Sequence, residues 1–202
     1  MSLLPDSFYD AEFAEHGAVA DATRTAMREP FADLLNVCLD ALKADKKLLL
    51  FGNGGSAADA QHLATELTVR YKTDRPAMAA IALTTDSSAL TAIGNDFGFE
   101  HLFARQIDAL GRPGDVAIGI STSGTSANII RGLEMAKLNG LKPVGLTGRD
   151  GGAMVGLADP LLVVPSRTTA RIQEMHIMLG QMLCGALEIA LGLVPPDMPT
   201  DS

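Results

Sequence analysis

Two stretches of this chain carry the same three-part pattern: a short apolar run, a polar turn, and the start of a helix. Leu48–Phe51 runs into Gly52-Asn53-Gly54-Gly55-Ser56 and an Ala-rich helical stretch to about Val69. Val116–Ile120 runs into Ser121-Thr122-Ser123-Gly124-Thr125-Ser126 and a helix to about Asn139. Apolar runs this short, without alternation, are what strands buried on both faces require. Ile81–Leu83, Val144–Leu146 and Leu161–Val164 read as three more, and a last long helix spans about Arg171–Leu191. Strands alternating with helices fold as a parallel sheet covered on both sides, so residues 46–194 are expected to form a doubly wound, flavodoxin-like α/β domain.

Ahead of that domain, residues 1–45 read as an N-terminal helical arm. Apolar residues recur at three- and four-residue spacing from Ala11 to Met27 and again from Phe31 to Leu42, and Pro30 is expected to separate the two helices. At 202 residues the chain suits one domain with such an appendage. The tail 195–202, with Pro195, Pro196 and Pro199, is expected to be disordered.

In sheets of this kind ligands sit beyond the carboxyl ends of the strands, where strand order reverses, and both polar turns must lie there. In the second turn the hydroxyls of Ser121, Thr122, Ser123 and Ser126 surround Gly124 where a helix begins. Free backbone N–H groups, the positive helix end and hydroxyl donors can then converge on one anion such as a phosphomonoester. The alternative is that these residues only cap a helix. No Lys follows the glycines and neither turn reads Gly-x-Gly-x-x-Gly, which excludes the common nucleotide loops. Two hydroxyl-rich, Lys-free junctions in one sheet favour a phosphate or phosphosugar.

On the helix after the first turn, Ala60, Leu63, Ala64 and Leu67 form an apolar stripe, with Asp59, His62 and Glu66 opposite. His62 and Glu66, four residues apart, share one face and could meet one metal or one substrate, or simply form an exposed polar pair. Gln173, Glu174 and His176 interrupt the apolar last helix and mark a site or a subunit interface; a lone His there is more often a satisfied packing residue. Asn95-Asp96 fits either a sugar contact or a turn.

Composition removes other classes. Sixteen Lys and Arg against 24 Asp and Glu give a net charge of −8 with no basic run, which excludes a nucleic-acid-coating surface. No apolar run reaches 18 residues, so a membrane span is not expected. The two cysteines, Cys38 and Cys184, lie far apart and no signal-like segment precedes Met27, so a reducing cytoplasm is expected. They and the nine Met are expected to fill core gaps.

The segments FGNGGSAADAQHLATEL, LTAIGNDFGFE, GDVAIGISTSGTSANII, LTGRDGG and VPSRTTARIQEMH, in that order, resemble the sugar-isomerase (SIS) fold and within it the phosphoheptose isomerases. The resemblance implies conversion of sedoheptulose 7-phosphate to D-glycero-D-manno-heptose 7-phosphate, feeding activated heptose for surface glycans such as lipopolysaccharide. It implies a homotetramer with sites between subunits and a zinc ion. Ser121, Thr122, Ser123 and Ser126 would hold the phosphate, and Asn53, Gly54, Gly55, Asn95 and Asp96 would line the sugar. His62, Glu66 and Gln173 would be metal ligands, Gln173 also touching substrate and Glu66 also acting as general base. One position departs: eight residues after the family's Gln these isomerases carry a His, taken as fourth ligand and general acid, where this chain has Gln181. A Gln amide can ligate through oxygen but exchanges no proton in this range. Eight helical residues also span about 12 Å, so Gln173 and Gln181 share a site only through reach, a broken helix or a subunit boundary.

A rival from another class is a non-catalytic SIS tetramer that partners the bacterial replication initiator. That relative lacks the Glu at position 66 and the second glycine of the pair, and this chain keeps Gly55 and Glu66. A phosphosugar-sensing regulator is disfavoured by the net charge of −8 and the lack of a DNA-binding segment before the domain.

Overall fold

The computed structural model describes residues 5–195, so the tail expected to be disordered lies, beyond Pro195, outside the described residues. Two helices, α1 (Asp6–Ala26) and α2 (Arg28–Lys43), precede β1 (Leu48–Gly52) and α3 (Gly55–Thr68). Then come β2 (Ala80–Ala82), α4 (Ser87–Asp96), α5 (Leu102–Leu110), β3 (Val116–Ser121), α6 (Ala127–Leu138), β4 (Lys142–Gly148), β5 (Leu161–Val164) and α7 (Thr169–Ala190).

The five strands form one sheet in the order β2-β1-β3-β4-β5, every pair parallel. Order reverses between β1 and β3, and the chain ends of both strands face the same crevice, as the two junctions require. All five residues of β1 and all six of β3 are buried. Leu48 and Leu50 pack with α2, α3 and α7 on one face, while Leu49 and Phe51 pack with α5 and α6 on the other. Alternation along a strand buried on both sides thus divides one apolar run between two cores.

Three features differ from the sequence expectation. The break between the first helices falls at Met27, not at Pro30, which lies in the first turn of α2. A first-turn residue has no intrahelical partner for its N–H, so proline fits there without loss, and Met27, nearly buried, sets the bend. The arm of residues 1–45 is also not a separate layer, since Leu34, Cys38 and Ala41 of α2 belong to the same core as the sheet. Finally, α4 and α5 occupy a stretch in which the sequence predicts no helix, and Asn95 and Asp96 are the last residues of α4; α5 buries Leu102, Phe103 and Ile107, while α4 buries no residue.

Candidate active site

The second junction begins where β3 delivers Ser121, nearly buried, to the crevice. The Gly124 N–H donates to the Ser121 Oγ at 3.2 Å, and the Ser121 and Ser126 hydroxyls lie 3.3 Å apart. Thr125 donates to the Ser123 Oγ through its N–H at 3.3 Å and its hydroxyl at 3.0 Å. Gly124 has φ +67°, and a Cβ there would collide with the Gly151 carbonyl, so only glycine lets this loop rest on the turn after β4. Ser126 occupies the N-cap position of α6 yet makes no side-chain capping bond. Its hydroxyl, the half-buried Thr122 and Ser123, and the free first-turn N–H groups of a 12-residue helix are therefore left for an anion.

At the first junction Gly54 holds the N-cap position of α3 and Gly55 opens the helix. A Cβ on Gly55 would stand 2.5 Å from the Gln173 Nε2, so the glycine is the space into which Gln173 of α7 reaches. Asn53 is tied to Asn128 of α6 by two reciprocal amide hydrogen bonds of 2.8 Å.

Helices α3 and α7 lie side by side and run in the same direction: Gly55 meets Gln173, Leu63 meets Gly180, and the Tyr71 N–H just past α3 donates to Glu188. Gly180 leaves room for Leu63 and draws the helices close. This parallel course brings Gln181 to His62. The His62 Nε2 is 3.2 Å from the Glu66 Oε1 and 3.1 Å from the Gln181 amide nitrogen. One ring nitrogen cannot serve both partners in one proton state. Protonated, Nε2 donates to Glu66 and needs the amide oxygen facing it; unprotonated, its one lone pair either accepts from the amide N–H or, with the amide turned away, coordinates an ion.

Among the described residues no three His, Cys, Asp or Glu side chains converge. What converges is one imidazole, one carboxylate and one amide: the Glu66 Oε1 and the Gln181 amide nitrogen lie 3.2 Å and 3.1 Å from the His62 Nε2, and turning the Gln181 amide over would present its oxygen in place of the nitrogen. That set fits a divalent ion, two strong donors being completed by the weaker amide oxygen; Gln173 reaches toward the mouth of the site at Gly55 but has no hydrogen bond to the trio.

Beside these, Asp59 has one carboxylate oxygen buried without a partner; burial raises its pKa and the nearby His62 opposes the rise. Arg75, whose side chain is fully buried, donates to the carbonyls of Glu66 at 2.6 Å and Leu67 at 2.7 Å and pairs with Glu188 at 2.8 Å. It satisfies the orphan carbonyls that end α3 just behind Glu66. Neither Arg75 nor Asn128 was foreseen from sequence. Asn128, two residues past Ser126, stands where the serine loop becomes helix and was in principle findable; a lone Arg before Pro76 carries no such signal.

Asn95 and Asp96 end α4, exposed and hydrogen-bonded to each other at 2.7 Å, and have no hydrogen bond to any other predicted site residue within the described chain. His176 is a packing residue: fully buried, its Nε2 donates to the Thr147 carbonyl at 3.0 Å. Burial pushes its pKa down to about 4 against that hydrogen bond. Glu174 pairs with Arg171 and His16, tying the start of α7 to α1.

An anion nest at the switch point of a five-stranded parallel sheet, with an imidazole–carboxylate pair on the helix that leaves the neighbouring strand, is matched by sequence: the profile described as SIS domain covers residues 13–148, from within α1 to the end of β4. The chain belongs to the SIS domain family. Its particular relatives there are phosphoheptose isomerases. The one from Paramagnetospirillum magneticum is 60% identical over 182 residues, 90% of this chain and 95% of that protein. The structure of phosphoheptose isomerase GmhA from Neisseria gonorrhoeae superposes with a TM-score of 0.85 at 46% identity, covering 91% of this chain and 98% of that one. That of a phosphoheptose isomerase from Francisella tularensis gives 0.88 at 34% identity, covering 91% and 97%.

Proposed function

We propose that this chain is a phosphoheptose isomerase that interconverts sedoheptulose 7-phosphate and D-glycero-D-manno-heptose 7-phosphate. The observation that carries the reading is the placement of Glu66 against His62, on the helix that leaves the switch-point crevice whose other wall is the hydroxyl-rich loop at the start of α6. Phosphate held by Ser121, Thr122, Ser123 and Ser126 anchors the sugar at its far end, and that remote binding energy orients the reacting carbons. Glu66 takes a proton from C1 of the ketose and returns it to C2 through an enediol, while a second proton passes from the O1 hydroxyl to O2, leaving the carbonyl on C1. Asn53, Gly54, Gly55 and Gln173 face the sugar between the two ends, and Gly54 and Gly55 let it approach the backbone.

Zinc would be held by His62 and Glu66, with Gln181 offering an amide oxygen beside them and Gln173, two turns earlier on the unbroken α7, able to join only across a subunit boundary, and would supply Lewis-acid polarisation of the carbonyl. Asn95 and Asp96 join the site from a neighbouring subunit in this reading. A homotetramer is supported by the apolar surface the single chain leaves open. Phe8, Tyr9 and Phe13 on α1 and Met178 and Met182 on α7 are 45–65% exposed, and Met178 and Met182 border a cavity of about 380 Å³ shared with α1 and α2. A cytoplasmic setting agrees with the two free cysteines and with the finding that no helix among the described residues is long and apolar enough to cross a membrane. The product would then enter activated-heptose synthesis for surface glycans such as lipopolysaccharide.

Isomerisation of sedoheptulose 7-phosphate, assayed after chelation and again with added zinc, tests the reading. Aldose formation in either condition is expected, and no turnover in both would overturn it. A gain on adding zinc supports the ligand set.

A further inference from the structure

Among the described residues, one pair of side-chain hydrogen bonds joins the two polar turns across the crevice: Asn53 Nδ2 donates to Asn128 Oδ1 and Asn128 Nδ2 donates to Asn53 Oδ1, both at 2.8 Å. Asn53 follows β1, whose Gly52 is in register with Ile120 of β3, so the pair spans the reversal point of the sheet itself. Two antiparallel hydrogen bonds fix the plane of each amide as well as its position. The arrangement couples the orientations of the two amides, because turning over only one would set like atoms against each other. Asn128 is 2% exposed and cannot meet a ligand. Asn53 is half-buried at the mouth and keeps one N–H and spare lone pairs for whatever enters.

We propose that Asn128 is a positioning residue for the isomerisation. It holds the amide edge of Asn53 toward the sugar, and it locks the sugar-facing turn to the phosphate-holding loop so that the distance between the two subsites is set before substrate arrives. This rests on the isomerase reading above. Preorganisation of this kind is read in binding, since loosened contacts must be ordered anew by each ligand.

A mutant cycle tests it, with Kd for sedoheptulose 7-phosphate from titration calorimetry beside kcat and KM. Asn53→Ala and Asn128→Ala are each expected to weaken binding about tenfold, as loss of a hydrogen-bonded pair does, and the double variant to bind no worse than Asn53→Ala alone. A double variant that loses the product of the two single effects, or an Asn128→Ala protein that binds like wild type, overturns the proposal. Asn128→Asp keeps the shape if the alanine variant does not fold. Its carboxylate still accepts from Asn53 but donates nothing, so KM relative to wild type should be raised at high pH and return as the new carboxyl takes up a proton. A deficit independent of pH overturns the proposal. Wild-type protein that binds the sugar phosphate without isomerising it refutes the isomerase reading and leaves the binding cycle as the measure of Asn128; wild-type protein that does not bind it refutes both.

Discussion

His62 and Glu66, one turn apart on α3, bring Nε2 and Oε1 to 3.2 Å, and that ring nitrogen is also the atom that Gln181 of α7 approaches to 3.1 Å. Glu66, its imidazole neighbour and the amide from the last helix form one hydrogen-bonded unit, so changing one alters the proton positions of the others.

Glu66→Gln preserves shape and hydrogen bonding but removes the group that carries the proton. Turnover is expected to fall at least about a hundredfold, while calorimetry with sedoheptulose 7-phosphate still shows binding. Turnover equal to wild type would remove Glu66 from the role of base.

The serine loop predicts two distinct losses. Ser123→Ala should weaken binding of the sugar phosphate while leaving the melting temperature within a few degrees, and equal affinity for the sugar with and without its phosphate would refute the assignment. Gly124→Ala meets both a left-handed φ and the Gly151 carbonyl. It should lose stability by about 1–3 kcal/mol, the scale for overpacked or strained sites, and phosphate affinity with it.

Gln181→His replaces an amide with an imidazole beside His62 and Glu66. Zinc affinity, measured by competition with a chelator, is expected to rise at least about tenfold, since imidazole is the better zinc ligand. An unchanged affinity would place Gln181 outside the coordination sphere.

His176 makes stability depend on pH. Its folded pKa of about 4 lies below the unfolded value near 6.5, so between those values the unfolded chain binds the extra proton. Stability is then complete above about pH 6.5 and falls as pH is lowered toward 4, by up to about 3 kcal/mol from this residue. Urea melts from pH 7 to 4.5 should show the decline in wild type and a shallower one in His176→Gln. Parallel curves would show that the slope arises elsewhere.

The parallel sheet, both polar turns and the His62–Glu66 pair were legible in the sequence because each is local: apolar runs, turn residues and helical spacing all act within a few positions. The junction after β3 was also legible in kind, though only the structure shows that Ser126 spends nothing on capping its helix. The separation of Gln173 and Gln181 expected from helical rise holds in α7, which follows α3 so that Gln173 meets Gly55 and Gln181 meets the exposed His62 two turns on. What was not legible depends on distant partners. Asn128 needed Asn53 from another strand end, Arg75 needed the closing carbonyls of α3 together with Glu188, and α2 needed the sheet it covers.

The alignment of α3 with α7 also sets an order of events during synthesis. A ribosome delivers the glycine turn, His62 and Glu66 long before α7 emerges, and until then Leu63 has no Gly180 to pack against and Glu66 no Gln181 across the imidazole. The imidazole–carboxylate–amide trio is therefore completed only with the last stretch of helix, and a spectroscopic probe of the His62 ring on a refolding chain would report the docking of α7 and not the closure of the sheet.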